Sequence, residues 1–450
     1  SVLTVPLKDS QGDVIGVLQL LNAMATDGQV IDFSEQIQPL IEALASQAAV
    51  ALDNALLIES QENLLDAFIT LMARAVDAKS PHTGGHCERV PELTKMLSQA
   101  ACETASGPFT DFNLTDAQWY ELHIGAWLHD CGKVTTPDYV VDKATKLETI
   151  TDRIHEVRMR FEVLKLERTV AYQAKLIAGV GEPEFLKTEL EKALAQIDDD
   201  YYFITECNLG GESMAEDLVA RVKKIAGTTW TRTLSDRPGV SFEELKRKKK
   251  QPEPLLPCQE PLLADRPDHL IEHNAVAHSA DPDNIYGFKV EVPEYKYNLG
   301  EVYNLCISRG TLTNEERFKI NDHIVQTIVM LDSLPFPKHL ERVPEIAGGH
   351  HEKMDGTGYP KRLTGDEMSI PAKVMAIADV FEALTAADRP YKKPKKLSES
   401  INIMSFMVKD QHLDPELFRL FLESGVYRDY AQKYLLPAQI DEFDIASYLS

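Results

Sequence analysis

The sequence predicts a mainly α protein: an all-helical bundle with a large insertion, preceded by a partial α/β segment and a long linker helix. Three observations predict it. Residues 62–140 and 300–435 are mostly helical in pattern, with apolar positions at 3.6-residue spacing. Strand-like alternation is confined to the start, at residues 2–7 and 14–22 around the turn "KDSQGD". Between them, Ile37, Leu40, Ile41, Leu44, Leu57, Leu64, Phe68 and Met72 recur at helical spacing, predicting one helix from about Ser34 to Ala78. A helix of that length without breakers packs against a partner helix, so it predicts a homodimer.

Residues 150–225 read as long charged helices, and 226–300, rich in Pro, Asp and Lys, read as exposed loop. The "KRKKK" run at 246–250 reads as a solvated charge patch. A faint repeat relates 146–164 to 311–331 and places Arg158 where the second copy has His323. The predicted organisation is therefore an N-terminal part over 1–58, a signalling helix over 34–78, a helical domain over 62–140 plus 300–435, and an insertion of unassigned role over 141–299.

Composition bounds the function. The 450 residues can form two or three domains, and 44% hydrophobic content excludes wholesale disorder. A net charge of -24 argues against a DNA- or RNA-binding or anionic-membrane surface, which must be basic. A local basic cluster can still serve one phosphate pocket. The six cysteines contain no Cys-x-x-Cys pair, which predicts reduced thiols and a cytoplasmic protein. No uninterrupted apolar run approaches about eighteen residues, predicting no membrane segment. The chain opens on Ser1 within strand-like material, so it reads as a fragment of a longer protein.

Five segments carry metal-ligand chemistry. "PHTGGHCERV" gives His82 and His86 at i, i+4, and "GAWLHDCGKV" gives His129 and Asp130 with Lys133 following. "NDHIVQ" gives His323, "GGHHEKMDG" gives His350 and His351, and "AIADVFEAL" gives Asp379. Any one of these histidines alone is more often an ordinary core or surface residue. Asp379 is more telling, because a carboxylate in an apolar helix faces desolvation unless paired or ligated. Imidazoles with two carboxylates suit iron, manganese or similar ions. A carboxylate such as Asp130 can bridge two of them, the arrangement used to hydrolyse phosphate esters. His269, His273 and His278 share helical spacing but lack carboxylate partners, so they are not expected to bind metal.

"HTGGHCERV", "HDCGKV", "HHEKMDGTGYP" and "IADVFEALTAADRPYK", in this order, resemble the HD-GYP domain, phosphodiesterases of the HD superfamily acting on cyclic dinucleotides. The hairpin ending in "GVLQLLNA" and the helix after it resemble the C-terminal half of a GAF sensory domain over 1–58. The first resemblance implies an all-helical fold with two or three divalent ions, iron or manganese. It implies His86, His129, Asp130, His323, His350, His351 and Asp379 as ligands, with His82 either completing a trinuclear site or capping the loop. It implies hydrolysis of cyclic di-GMP to linear pGpG and then GMP. The alternatives are cyclic GMP-AMP as substrate, or an inactive cyclic-dinucleotide receptor. Asp130 and Lys133 are implied as catalytic. Arg389 with Lys392 or Lys393 is implied to approach the substrate phosphates, beside a pocket wall containing Asp355, Gly358, Tyr359 and Pro360.

Overall fold

The computed structural model describes residues 1–79, 85–387 and 394–449, in two compact units, Ser1–Met72 and Ala73–Ser450. In the first unit, β1 (Val2–Lys8) and β2 (Val14–Leu21) pair antiparallel, and the short β3 (Ala23–Met24) pairs with β4 (Val30–Ile31). The predicted long helix is α1 (Gln38–Lys79). It starts later than expected because Ser34 Oγ accepts the Gln36 amide and holds 34–37 in a turn. Leu40, Leu44, Leu57, Leu64 and Phe68 are exposed along it. By length and composition α1 is apolar enough to cross a membrane, a test that helices of soluble proteins also pass. The expectation of no such segment required an unbroken apolar run, which Glu42 and Asp53 interrupt.

The second unit is helical. It continues through α2 (His86–Glu103), α3 (Asp116–Leu128), a 3-10 turn Cys131–Thr135 and the one-turn α4 (Asp138–Val141). Next come α5 (Ile154–Ile177), α6 (Pro183–Asn208) and α7 (Glu216–Ala226), then β5 (Thr229–Arg232), α8 (Phe242–Lys248), β6 (Cys258–Pro261) and β7 (Leu270–Ile271). The chain returns through β8 (Tyr297–Asn298), α9 (Glu301–Leu305), α10 (Asn314–Asp332) and α11 (Val343–Gly348). It ends with α12 (Ile370–Thr385), α13 (Leu397–Lys409), α14 (Pro415–Glu423) and α15 (Val426–Tyr434).

Helix starts follow local chemistry. Thr115 with Gln118, and Thr313 with Glu316, form capping boxes at α3 and α10. Ser369 and Asp414 cap α12 and α14, each followed closely by a proline whose missing N–H costs nothing there. One core joins α2, α3 and α12 to α15 through Leu93, Leu97, Leu122, Phe381, Ile401, Phe421 and Tyr430.

The 141–299 segment differs from its sequence reading. A second core, with Leu147, Phe161, Leu164, Ile204, Val222, Leu262 and Leu263, joins α5, α6 and α7 to the strands beyond. The stretch read as loop pairs β5 with β6 and β7 with β8, and buries Leu262, Leu263 and Phe288. Within "KRKKK", Lys248 is buried between Asp236 (2.9 Å) and Asp268 (3.2 Å). Lys248, the last residue of the two-turn α8, is the lysine of this run that turns inward. Arg158 is exposed on α5, whereas His323 is buried in α10.

This segment is riveted to the bundle by ion pairs. Lys143 Nζ donates to both Glu316 carboxylate oxygens at 2.8 Å, with both side chains nearly inaccessible. Burial lowers the Lys143 pKa and Glu316 opposes that shift. Glu316→Ala would leave a buried ammonium unpaired and remove the α10 capping box. We expect a loss of about 3–5 kcal/mol in urea unfolding; a change below about 1 kcal/mol would show the pair to be dispensable.

Candidate metal centre

The ends and middles of helices bring the ligand-type residues together. His86 opens α2, His129 and Asp130 follow α3, His323 sits mid-α10, His350 and His351 follow α11, and Asp379 lies in α12. His86, His129 and Asp130 form one group of ligand atoms and His323, His350 and His351 another, each within 4.8 Å. Asp130 stands between the groups. Its Oδ2 is 3.2 Å from both His86 Nε2 and His129 Nε2, and its Oδ1 is 3.2 Å from His323 Nε2. Asp379 Oδ1 lies 3.4 Å from His86 Nε2 and 4.0 Å from His129 Nε2.

The tautomers follow from the outer hydrogen bonds. His129 and His350 donate Nδ1–H to the carbonyl three residues earlier, at 2.7 and 2.8 Å, and His323 does the same to Ile320. Each Nε2 is therefore a bare lone pair pointing inward. Asp130 Oδ1, His323 Nε2 and His350 Nε2 are buried and make no hydrogen bond. Oδ1 and the His323 nitrogen face each other as two acceptors, which explains their closeness without a bond. Acceptors buried this way demand a cation.

The charges agree. Burial opposes ionisation of Asp130, but the Lys133 ammonium holds its carboxyl well below the usual range. Lys133 Nζ contacts Asp130 Oδ2 and its side chain is 30% exposed, so it reaches toward solvent. Burial would lower the His86 pKa, yet hydrogen bonds to Asp130 and Glu382 raise it to about 10. Burial lowers His350 to about 4 and, with His350 and His323 beside it, His351 further. Imidazole nitrogens thus surround the Asp130 carboxylate, and a divalent ion would replace the proton on His86. The donor set fits divalent metal ions of borderline character.

Three residues of the site escaped the sequence reading. Glu382 is 1% exposed and accepts His86 Nδ1–H at 2.5 Å, while Arg89 Nε donates to its other oxygen at 2.8 Å. Burial works against its ionisation, but His86 and Arg89 lower its pKa to about 2. It lies one turn after Asp379 in the same apolar helix, so the desolvation argument that singled out Asp379 applied to it equally. A carboxylate behind a ligand histidine fixes its tautomer and strengthens its donor atom. Glu382→Gln should weaken Mn²⁺ binding about 10–100-fold by calorimetric titration, with unchanged affinity refuting the role.

Glu352 is the third. Buried, it accepts the Lys361 and Leu363 amides at 2.6 and 2.9 Å and braces the 353–363 loop. Tyr359 stacks on His351 with ring centres 4.8 Å apart. Gly358 passes so close to the Glu352–Lys353 backbone that a Cβ would lie 2.4 Å from Lys353 N, and Gly356 has φ 75°. Asp355 is exposed and accepts the Thr357 amide and hydroxyl, at 2.9 and 2.7 Å. Pro360 is buried, and its carbonyl accepts the Lys289 amide at 2.7 Å. The 286–290 strip packs on α10 and Tyr359. His269, His273 and His278 belong to no ligand group among the described residues. His82, Arg389, Lys392 and Lys393 lie outside the described residues.

Residues 257–417 match the HD domain family and residues 1–52 the GAF domain family. The HD match takes in His323, His350, His351 and Asp379, whereas His86, His129 and Asp130 precede it and join them only in space. A Vibrio cholerae protein named 3'3'-cGAMP-specific phosphodiesterase 1 is 45% identical over 127 residues, 28% of this chain and 26% of its own length. A second V. cholerae protein, named probable cyclic di-GMP phosphodiesterase, is 35% identical over 151 residues, 31% and 34% of the two chains. A Pseudomonas aeruginosa protein named cyclic di-GMP phosphodiesterase is 41% identical over 86 residues, 19% and 20%. The chain thus spans between a fifth and about a third of these relatives. With its ligand residues gathered at one centre, the chain carries a stretch similar to the HD domain family at residues 257–417 and one similar to the GAF domain family at residues 1–52.

Proposed function

We propose that the second unit is a metal-dependent phosphodiesterase that opens a cyclic dinucleotide, cyclic di-GMP, to linear pGpG and then GMP. The observation that carries this reading is the pair of histidine groups facing each other across Asp130, with bare acceptor atoms turned inward. Two or three divalent ions, iron or manganese, are the proposed cofactors, held by His86, His129, Asp130, His323, His350, His351 and Asp379, with His82 as a further candidate. The chemistry such ions supply when bound is Lewis-acid polarisation of a phosphodiester and a strong oxygen nucleophile at neutral pH.

The chain's own residues supply the rest. Asp130 holds the two groups at one spacing. Lys133 offers its ammonium to charge developing on phosphate oxygens in an otherwise acidic protein. The Glu352-braced loop, with Asp355, Gly358, Tyr359 and Pro360, forms the dinucleotide wall. Arg389 and Lys392 or Lys393 are assigned to the phosphates from the sequence resemblance alone. Residues 1–52 and α1 are proposed as the regulatory input, and the exposed apolar residues of α1 support a homodimer. The free cysteines and the HD and GAF families support a cytoplasmic location. The 141–299 segment, packed against the Tyr359 loop through its 286–290 strip, is proposed to support that wall.

3'3'-cGAMP is the second substrate reading, favoured by the relative that is 45% identical. Incubating the purified full chain with Mn²⁺ and each dinucleotide separates the possibilities. Linear dinucleotide formed by wild type and not by Asp130→Ala supports hydrolysis, and the faster substrate identifies the class. Tight binding with no turnover in either protein would make the chain a receptor.

A further inference from the structure

The last turn of α1 holds both edges of the metal centre. Lys79, its final residue, directs its ammonium at three backbone carbonyls: Lys133 O at 3.2 Å, Val134 O at 2.6 Å and Thr136 O. These carbonyls belong to the end of the 3-10 turn Cys131–Thr135 and the residue after it, and α4 begins only at Asp138. An ammonium has three donors, and here three acceptors meet it. The same turn carries Lys133, whose ammonium contacts Asp130.

Two residues earlier, Asp77 holds the other edge. Its Oδ2 accepts the Gly85 amide at 3.2 Å, and its carboxylate also bonds Cys87. Asp77 therefore caps the start of α2, where Gly85 has φ 82° and His86 is the first helical residue. Ala73 and Val76 are buried with Cys87 and packed by Trp127, so this turn is seated in the second unit's interior. Neither Asp77 nor Lys79 belongs to the ligand set.

We propose that Asp77 and Lys79 are positioning residues that tie the setting of α1 to the placement of His86 and Lys133. Residues two apart on an α-helix point about 200° apart around its axis. A sideways shift of α1 therefore loosens one grip as it presses the other, and changes turnover without removing a metal ligand. Displacements of about 1 Å at such a centre cost on the order of 10²-fold in rate. The inference rests on the hydrolase reading only where turnover is measured.

The test uses the full chain loaded with Mn²⁺, as wild type, Lys79→Met, Lys79→Arg and Asp77→Asn. Three quantities are compared: turnover of cyclic di-GMP and 3'3'-cGAMP, Mn²⁺ stoichiometry, and amide exchange of the 130–141 peptide against the α10 peptide. Lys79→Met is expected to lower kcat at least tenfold with KM within twofold and Mn²⁺ stoichiometry unchanged. Exchange in 130–141 should accelerate at least tenfold while α10 is unaltered, and Lys79→Arg should recover most of both effects. Asp77→Asn should accelerate exchange at the start of α2 instead. Wild-type exchange in 130–141 for Lys79→Met, or loss of Mn²⁺ together with faster exchange throughout, would overturn the proposal. If wild type hydrolyses neither dinucleotide, the hydrolase reading falls, and the exchange comparison still decides the positioning role.

Discussion

Asp130→Asn is expected to lower cyclic-dinucleotide turnover by on the order of 10³-fold and to remove at least one metal ion per chain. Asp130 is the residue that faces both histidine groups, through Oδ2 to His86 and His129 and through Oδ1 to His323. Asparagine keeps the shape but loses the charge and one acceptor, and it leaves the Lys133 ammonium without its carboxylate. Two cations held by the groups would then repel each other with no carboxylate between them, since Asp379 stands on one side only. Turnover with each dinucleotide and metal content by elemental analysis check this, with thermal melting as the control for folding. Wild-type metal content in the variant would contradict a bridging role for Asp130.

Gly132→Ala is expected to be nearly as damaging through sterics alone. A Cβ at Gly132 would lie 2.0 Å from His323 O, 2.6 Å from Thr327 N and 2.7 Å from Thr327 Oγ1. Two of these are backbone atoms of α10, so no side-chain rotation can relieve them. The Gly132 amide already donates to Thr327 Oγ1 at 2.9 Å, which locks the 3-10 turn against α10. Inserting the methyl forces the turn and α10 apart, which separates Asp130 from His323. Overpacking of this kind costs about 1–3 kcal/mol or more. We expect a loss of about 3 kcal/mol in urea unfolding and Mn²⁺ binding weakened with it. A variant with wild-type stability and metal affinity would show that the two segments can part without consequence.

Much of this centre was legible in the sequence because ligand residues announce themselves by type. His129 and Asp130, His350 and His351, and Asp379 in its apolar helix each carried a chemical oddity that spacing alone made visible. Glu382 was legible by the same desolvation argument and was hidden only by its neighbour. Lys79 was not legible at all, since its partners are backbone carbonyls more than fifty residues away and carry no residue signature. The helical pattern predicted α1 closely and the helical character of 62–140 and 300–435, because periodicity is a local property.

The 141–299 segment misled for a related reason. Its proline and charge content reads as loop, but Leu262 and Leu263 fill a core whose other members lie in α5, α6 and α7. Which of five consecutive basic residues turns inward depends on where Asp236 and Asp268 end up, and nothing local to Lys248 decides it. The strip from Tyr286 to Val290 owes its place to Ile324, Val325 and Tyr359, again a long-range contact.

The measurement that bears most directly on the metal centre is elemental analysis of the anaerobically purified full chain beside Asp130→Asn. Two or more iron or manganese ions per wild-type chain, falling by at least one in the variant, is the predicted result. A wild-type chain with fewer than one transition-metal ion that gains none when incubated with Mn²⁺ or Fe²⁺ would contradict it.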